Sequence, residues 1–251
     1  MRVDLNADVG EHPDGAATHD AAPMSHITSA NIACGVHAGD EAVMRQTVVL
    51  AREHGLAVGA HPSFPDREGF GRREMDLPAA DVEALIRRQV AALAVIARAE
   101  GVRLHHVKPH GALFNMAARD HAVADAVARA TSALDPSLVL VGLAGSALVA
   151  AGRRAGLRTA SEGFADRAYR ADGSLVPRGE PGALVDDAVA VAARAVAMVR
   201  ERSVLTIDGR RIDLEVDTIC VHGDTPGAPA LARAVREALL AAGVEVRAVS
   251  T

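Results

Sequence analysis

Short runs of β-type residues alternate with Ala-rich helical stretches along the whole chain of 251 residues. That alternation constrains the fold more than any other feature. Strands are expected over Val3–Asp8, Ala30–Cys34, Leu56–Ala60, Leu104–Lys108, Leu138–Gly142, Arg158–Glu162, Thr218–His222 and Val244–Val249. Helices are expected over Glu41–His54, Pro78–Glu100, Asp120–Ala133, Ser146–Ala155, Ala183–Arg200 and Ala228–Ala242. Glycines at 55, 101, 156 and 243 end helices just before the next strand, as short αβ loops favour. Repeated βα units imply a parallel sheet with crossover helices, and seven or eight units in a chain of this length suggest closure into a barrel. An open nucleotide-binding sheet would put a GxGxxG turn after the first strand, where this chain reads VGEHPDG. No linker or repeat divides 1–251, so a single (β/α)-barrel domain is expected, with a β-hairpin insertion near 204–217 around Asp208-Gly209. The polar stretch Ala165–Pro181 reads as a long functional loop.

Composition excludes several classes of function. No apolar run is long enough for a membrane span, and the first ten residues carry carboxylates where a signal peptide needs an apolar stretch. A net charge of -5 with scattered arginines argues against a nucleic-acid surface. The two cysteines, Cys34 and Cys220, are far apart in apolar runs. They are expected as buried core residues of a cytoplasmic protein.

The rare residues mark where chemistry gathers. All five aromatics and all three asparagines lie in short segments outside the expected helices. Among 27 lysines and arginines one alone is lysine, Lys108. Period two places Asp4, Asn6 and Asp8 on one face of the first strand, which points into a barrel, where carboxylates are costly unless paired or used. NIACGVHAGD brings His37 to a strand end and ICVHGD brings His222 and Asp224. GAHPSFPDREGFGRR supplies His61 and the anion-binding candidates Arg72 and Arg73. In HHVKPHGALFN the same period aligns His106, Lys108 and His110, with Asn115 beyond. Burial is expected to lower the pKa of Lys108 toward acid–base use, which arginine could not match. Glu162 ends the sixth strand and leads into Asp166 and Arg167, so either carboxylate is a candidate general base and Arg167 an anion anchor. No GxxxxGK[ST] phosphate loop occurs. No tightly bound metal is expected, because the candidate ligands lack a tight spacing along the chain.

Taken in order, VDLNADVGE, TSANIACGVHAGD, GAHPSFPDREGFGRR, VKPHGALFN, EGFADRAY and CVHGD resemble the successive signatures of the LamB/YcsF lactam-utilisation family. Its members are the A-type subunits of prokaryotic ATP-dependent 5-oxoprolinase. The resemblance implies a distorted, TIM-like (β/α) barrel of seven strands, related to the glycoside hydrolase and deacetylase barrels. It also implies ring opening of 5-oxo-L-proline to L-glutamate with ATP and Mg2+, alongside B- and C-type subunits. In that chemistry Lys108 would neutralise a developing oxyanion or phosphate and Asp8, His110 or Glu162 would be the base. Arg72 or Arg167 would hold the substrate carboxylate, with Asn6, His37, His61, Arg73, Asn115, Asp166, His222 and Asp224 as further contacts. Two alternatives stand beside it. One is a metal-dependent deacetylase or amidohydrolase using Asp8 with His37 and His61 or His222, and the other a non-catalytic substrate-binding subunit. The segment after Glu11 departs from the usual family pattern, being shorter and lacking an aromatic, and Phe114 replaces a usual tyrosine.

Overall fold

A computed structural model describes residues 1–11, 20–221 and 228–249. Strands β1 (Arg2–Val9), β2 (Ser29–Ala33), β3 (Ala57–His61), β4 (His106–Val107), β5 (Val139–Leu143) and β6 (Arg158–Phe164) pair in chain order, all parallel. The antiparallel ribbon of β7 (Ser203–Leu205) and β8 (Arg211–Asp213) follows, and then β9 (Thr218–Cys220). β9 pairs with both β6 and β1, which closes a seven-stranded parallel barrel. A last short strand, β10 (Glu245–Val246), pairs outside the closure with the first residues of β1.

The crossovers carry α1 (Ala21–Met24), α2 (Glu41–Glu53), α3 (Ala79–Ala99), α4 (Gly111–Arg119), α5 (His121–Leu134), α6 (Ala147–Arg154), α7 (Ala188–Arg200) and α8 (Ala228–Ala241). Side-chain oxygens of Asp40, Asp120, Ser146 and Asp187 cap α2, α5, α6 and α7, satisfying N–H groups that have no partner within the helix. Among the described residues no helix is long and apolar enough to cross a membrane.

Alternation along β1 divides two environments. Val3, Leu5, Ala7 and Val9 join the apolar layer between barrel and helices. Asp4, Asn6 and Asp8 enter the barrel, where polar groups satisfy one another instead of the usual branched aliphatic layers. At the base, the Asp4 carboxylate accepts hydrogen bonds from Thr28, Ser29 and Thr218 at 2.7, 2.6 and 2.5 Å. One level up, Asn31 Nδ2 donates to Asn6 Oδ1 and Asp8 Oδ1 at 2.7 and 2.8 Å, while its own oxygen accepts from His106 Nε2 at 2.7 Å. Both cysteines are buried; burial pushes the Cys34 thiol up to about 12, and Cys220 faces the barrel interior against Lys108.

Three helices differ from expectation. α7 starts at Ala188 rather than Ala183, because Leu184 and Val185 pair with the loop at Arg167 and Asp166. The Pro109-Gly111 break suggests a simple exit from β4, yet His110 starts α4 directly behind it. α1 is a single turn in a stretch where no helix is expected.

Candidate active site at the mouth of the barrel

The C-terminal ends of β1, β3, β4 and β6 deliver the floor of a cavity of about 680 Å³. Asp8, Glu11, His61, Lys108 and His110 line its floor, and Arg72, Arg119, Arg167, Arg170 and Arg178 stand around the rim.

Lys108 holds the floor together. Its Nζ lies 2.9 Å from Asp8 Oδ1 and 2.9 Å from Glu162 Oε1, and it also contacts Asn6 Oδ1 at 3.3 Å and Cys220 Sγ at 3.2 Å. The side chain is 2% exposed. Burial alone would lower its pKa, but the charges of Asp8 and Glu162 outweigh it and hold the ammonium well above its ordinary value. This corrects the expectation of a lowered lysine pKa, because the partners that reverse the sign arrive from other strands. Lys108 is a fixed positive charge. One ammonium cannot neutralise two carboxylates, and burial followed by the neighbouring Asp8 charge pushes Glu162 up.

Four further side chains converge beside it. His37 Nε2 donates to Glu11 Oε1 at 2.8 Å, and its ring stacks on His110 at 4.0 Å and 9°. Burial drops the His37 pKa to about 4, so the ring is neutral. Glu11 Oε1 also lies 3.2 Å from His110 Nδ1 and 3.7 Å from His61 Nε2. Burial would raise the Glu11 carboxyl, but the three imidazoles hold it well below its usual range. Burial likewise opposes a charged His110, and the Glu11 carboxylate reverses that and raises its pKa.

Among the described residues the expected contacts divide into three groups. Asp8, His61, Arg72, Lys108, His110, Asn115 and Arg167 line the cavity. Asn6, His37, Glu162 and Asp166 are buried behind the lining: Asn6 donates to Glu162 Oε1 at 2.9 Å and to Thr218 Oγ1 at 2.6 Å, which props the Lys108 cluster from below. Arg73 is 62% exposed and pairs with Asp66 and Glu68, pinning its own loop rather than facing the cavity. His222 and Asp224 lie outside the described residues. Glu11 was missed by sequence reasoning, although it follows Gly10 at the end of a carboxylate-rich strand and could have been flagged on that ground. The Ala165–Pro181 loop does reach the cavity, with Arg167 Nη2 donating to Val176 O at 2.6 Å. Arg167 Nε has no acceptor among the described residues, and burial brings its pKa down to about 10. From α7, Arg194 donates to the carbonyls of Ala165 and Arg167 at 2.9 and 2.7 Å, which fixes the root of that loop.

A closed parallel α/β barrel with carboxylates and imidazoles gathered at its C-terminal mouth defines the TIM-like class, in whose enzymes active sites are built at that mouth. Within that class the chain belongs to the LamB/YcsF family, which it matches over residues 3–251. It is similar to the A-type subunit of 5-oxoprolinase from Chloroflexus aggregans, 55% identical over 248 residues that make up 98% of each chain. It is also similar to the lactam utilization protein of Thermus thermophilus, with a TM-score of 0.92, 49% identity, and 99% and 100% of the two chains covered. A family 4 carbohydrate esterase from Streptomyces lividans shares the fold alone, with a TM-score of 0.50 at 10% identity over 99% and 93% of the chains.

Proposed function

We propose that this chain acts as the A-type subunit of an ATP-dependent 5-oxoprolinase, opening 5-oxo-L-proline to L-glutamate together with B- and C-type subunits. The name of the Chloroflexus relative and the extent of the identity support this reading. The observation that carries it is the cavity itself, with arginines at the rim above a floor of carboxylates and imidazoles. A small carboxylated lactam needs both an anion anchor and groups that handle protons and oxyanions.

The five-membered lactam is an unstrained amide, so opening it requires coupling to ATP, supplied with Mg2+. Transfer of the γ-phosphoryl group to the lactam oxygen releases ADP and makes the ring carbon electrophilic. Addition of water followed by departure of the ring nitrogen as the amine leaves an acyl phosphate, which a second water hydrolyses to glutamate and phosphate. In this scheme Arg167, whose Nε donor has no acceptor among the described residues, or Arg72 holds the substrate carboxylate. Lys108 sets a fixed positive charge below the reacting oxygen. Asp8 and His110, at the cavity surface, direct the attacking water; Glu162, fully enclosed behind Lys108, tunes that charge and does not meet substrate.

Isothermal titration of 5-oxo-L-proline into the full chain, alone and in the assembled complex, tests the reading. Binding to wild type is expected to weaken about tenfold or more in Arg167→Gln, the loss of one charge-assisted hydrogen bond. Absence of binding in both forms would leave a scaffolding role for the chain.

A further inference from the structure

The hydrogen-bond partners of His61 and His110 fix which nitrogen of each ring carries a hydrogen. His61 Nδ1 lies 2.7 Å from the carbonyl oxygen of Lys108, and His110 Nε2 lies 2.9 Å from that of Phe70. A carbonyl only accepts, so both of those nitrogens are N–H donors. In the neutral rings the remaining nitrogens, His61 Nε2 and His110 Nδ1, present lone pairs, and they face each other at 3.0 Å. Asp8 Oδ2 lies 3.3 Å from His61 Nε2, and Glu11 Oε1 lies 3.2 Å from His110 Nδ1. Four acceptor atoms thus point into one small space. A single proton on either ring bridges only one of these contacts at a time. A metal ion accepts from several at once.

We propose that Asp8, His61 and His110 bind a divalent transition-metal ion at the floor of the cavity, with Glu11 supplying a second negative charge beside it. Bonds of about 2.0–2.2 Å at right to tetrahedral angles place neighbouring ligand atoms about 2.9–3.5 Å apart, and the observed separations of 3.0 and 3.3 Å fall in that range. The outer contacts are those of a metal site, in which each ligating imidazole donates its other N–H to a carbonyl. Asp8 Oδ1 is occupied by Lys108 and Asn31 at 2.9 and 2.8 Å, which turns Oδ2 toward His61. Phe70, which holds His110, has φ 56, a left-handed conformation costly for a non-glycine residue and common at functional sites. Two imidazoles and a carboxylate select zinc, manganese, iron(II) or cobalt(II) over magnesium. The site is therefore separate from any Mg2+ that arrives with ATP, and it does not depend on the ring-opening reading. All three ligands line the cavity, so the ion's remaining positions face whatever enters it. The expectation of no tightly bound metal rested on spacing along one chain, whereas these ligands come from the ends of three strands.

Titration of Zn2+ and of Co2+ into the full chain, stripped with a chelator, tests the proposal. Wild type is expected to take up one ion per chain and to show the visible absorption of nitrogen-ligated cobalt. His61→Asn and Asp8→Asn are each expected to weaken binding by at least about 100-fold, beyond the usual effect of an outer partner. Should a variant fail to fold by circular dichroism, proton NMR of the cobalt-loaded wild type decides instead. Two exchangeable, paramagnetically shifted ring N–H signals are expected, from His61 and His110. A folded wild type that binds neither metal overturns the proposal and leaves a proton as the bridge between the rings. Unchanged binding in both folded variants, or a cobalt complex without the two shifted signals, overturns it as well.

Discussion

Lys108 is the residue on which the floor depends. Its ammonium lies between Asp8 and Glu162 with no room for a larger cation, since Cys220 and the Phe164 ring close the other sides. Lys108→Met keeps the length of the side chain and removes the charge. Two buried carboxylates would then have no cation between them, and breaking such a buried pair costs about 3–5 kcal/mol. Urea denaturation is expected to show a loss on that scale, and a loss below about 1 kcal/mol, the range of exposed pairs, would count against it. The position of Lys108 was legible from period two and from its being the only lysine in the chain. The sign of its pKa shift was not, because that depends on carboxylates delivered by β1 and β6, and a strand's sequence does not say which side chains meet across the barrel. The same limit hid the joining of Glu11 to His37, His61 and His110.

At the scale of elements, β4 is the shortest strand of the barrel. Pro109 has no N–H and ends the regular strand early, yet backbone bonds from His105 to Val58 and from Lys108 to Ala60 keep its edge attached to β3. The His106 ring lies directly over Gly59, so a Cβ there would stand 2.1 Å from His106 Nε2. Neither the buried ring nor its bond to Asn31 can give way cheaply. Gly59→Ala is therefore expected to destabilise the fold by about 1–3 kcal/mol, the cost of overpacking a filled interior, read as a lower denaturation midpoint. A midpoint equal to wild type would show that the ring moves freely. Most strands and long helices were legible from alternation and helix-ending glycines. α4 was not, because it is short and starts at a Pro-His-Gly turn that reads as a strand exit; its first turn is set by tertiary contacts, Ala112 N bonding to Gly71 O across two loops.

On the scale of the whole molecule, the closed barrel gathers residues from four strand ends into one mouth, and a loop anchored by Arg194 completes the rim. Alternating βα units made the barrel legible, and the crowding of rare residues at strand ends made the mouth legible. The division of work among subunits has no such signature in a single chain. The central claim is that this mouth opens a lactam in concert with partners that help couple ATP. The most direct measurement is glutamate release from 5-oxo-L-proline by the chain reconstituted with B- and C-type subunits, against the chain alone. ATP-dependent glutamate is expected from the complete set and little from the isolated chain, which has no phosphate-loop motif. Robust ATP-coupled glutamate formation by the chain alone, or none from the full complex, would contradict it.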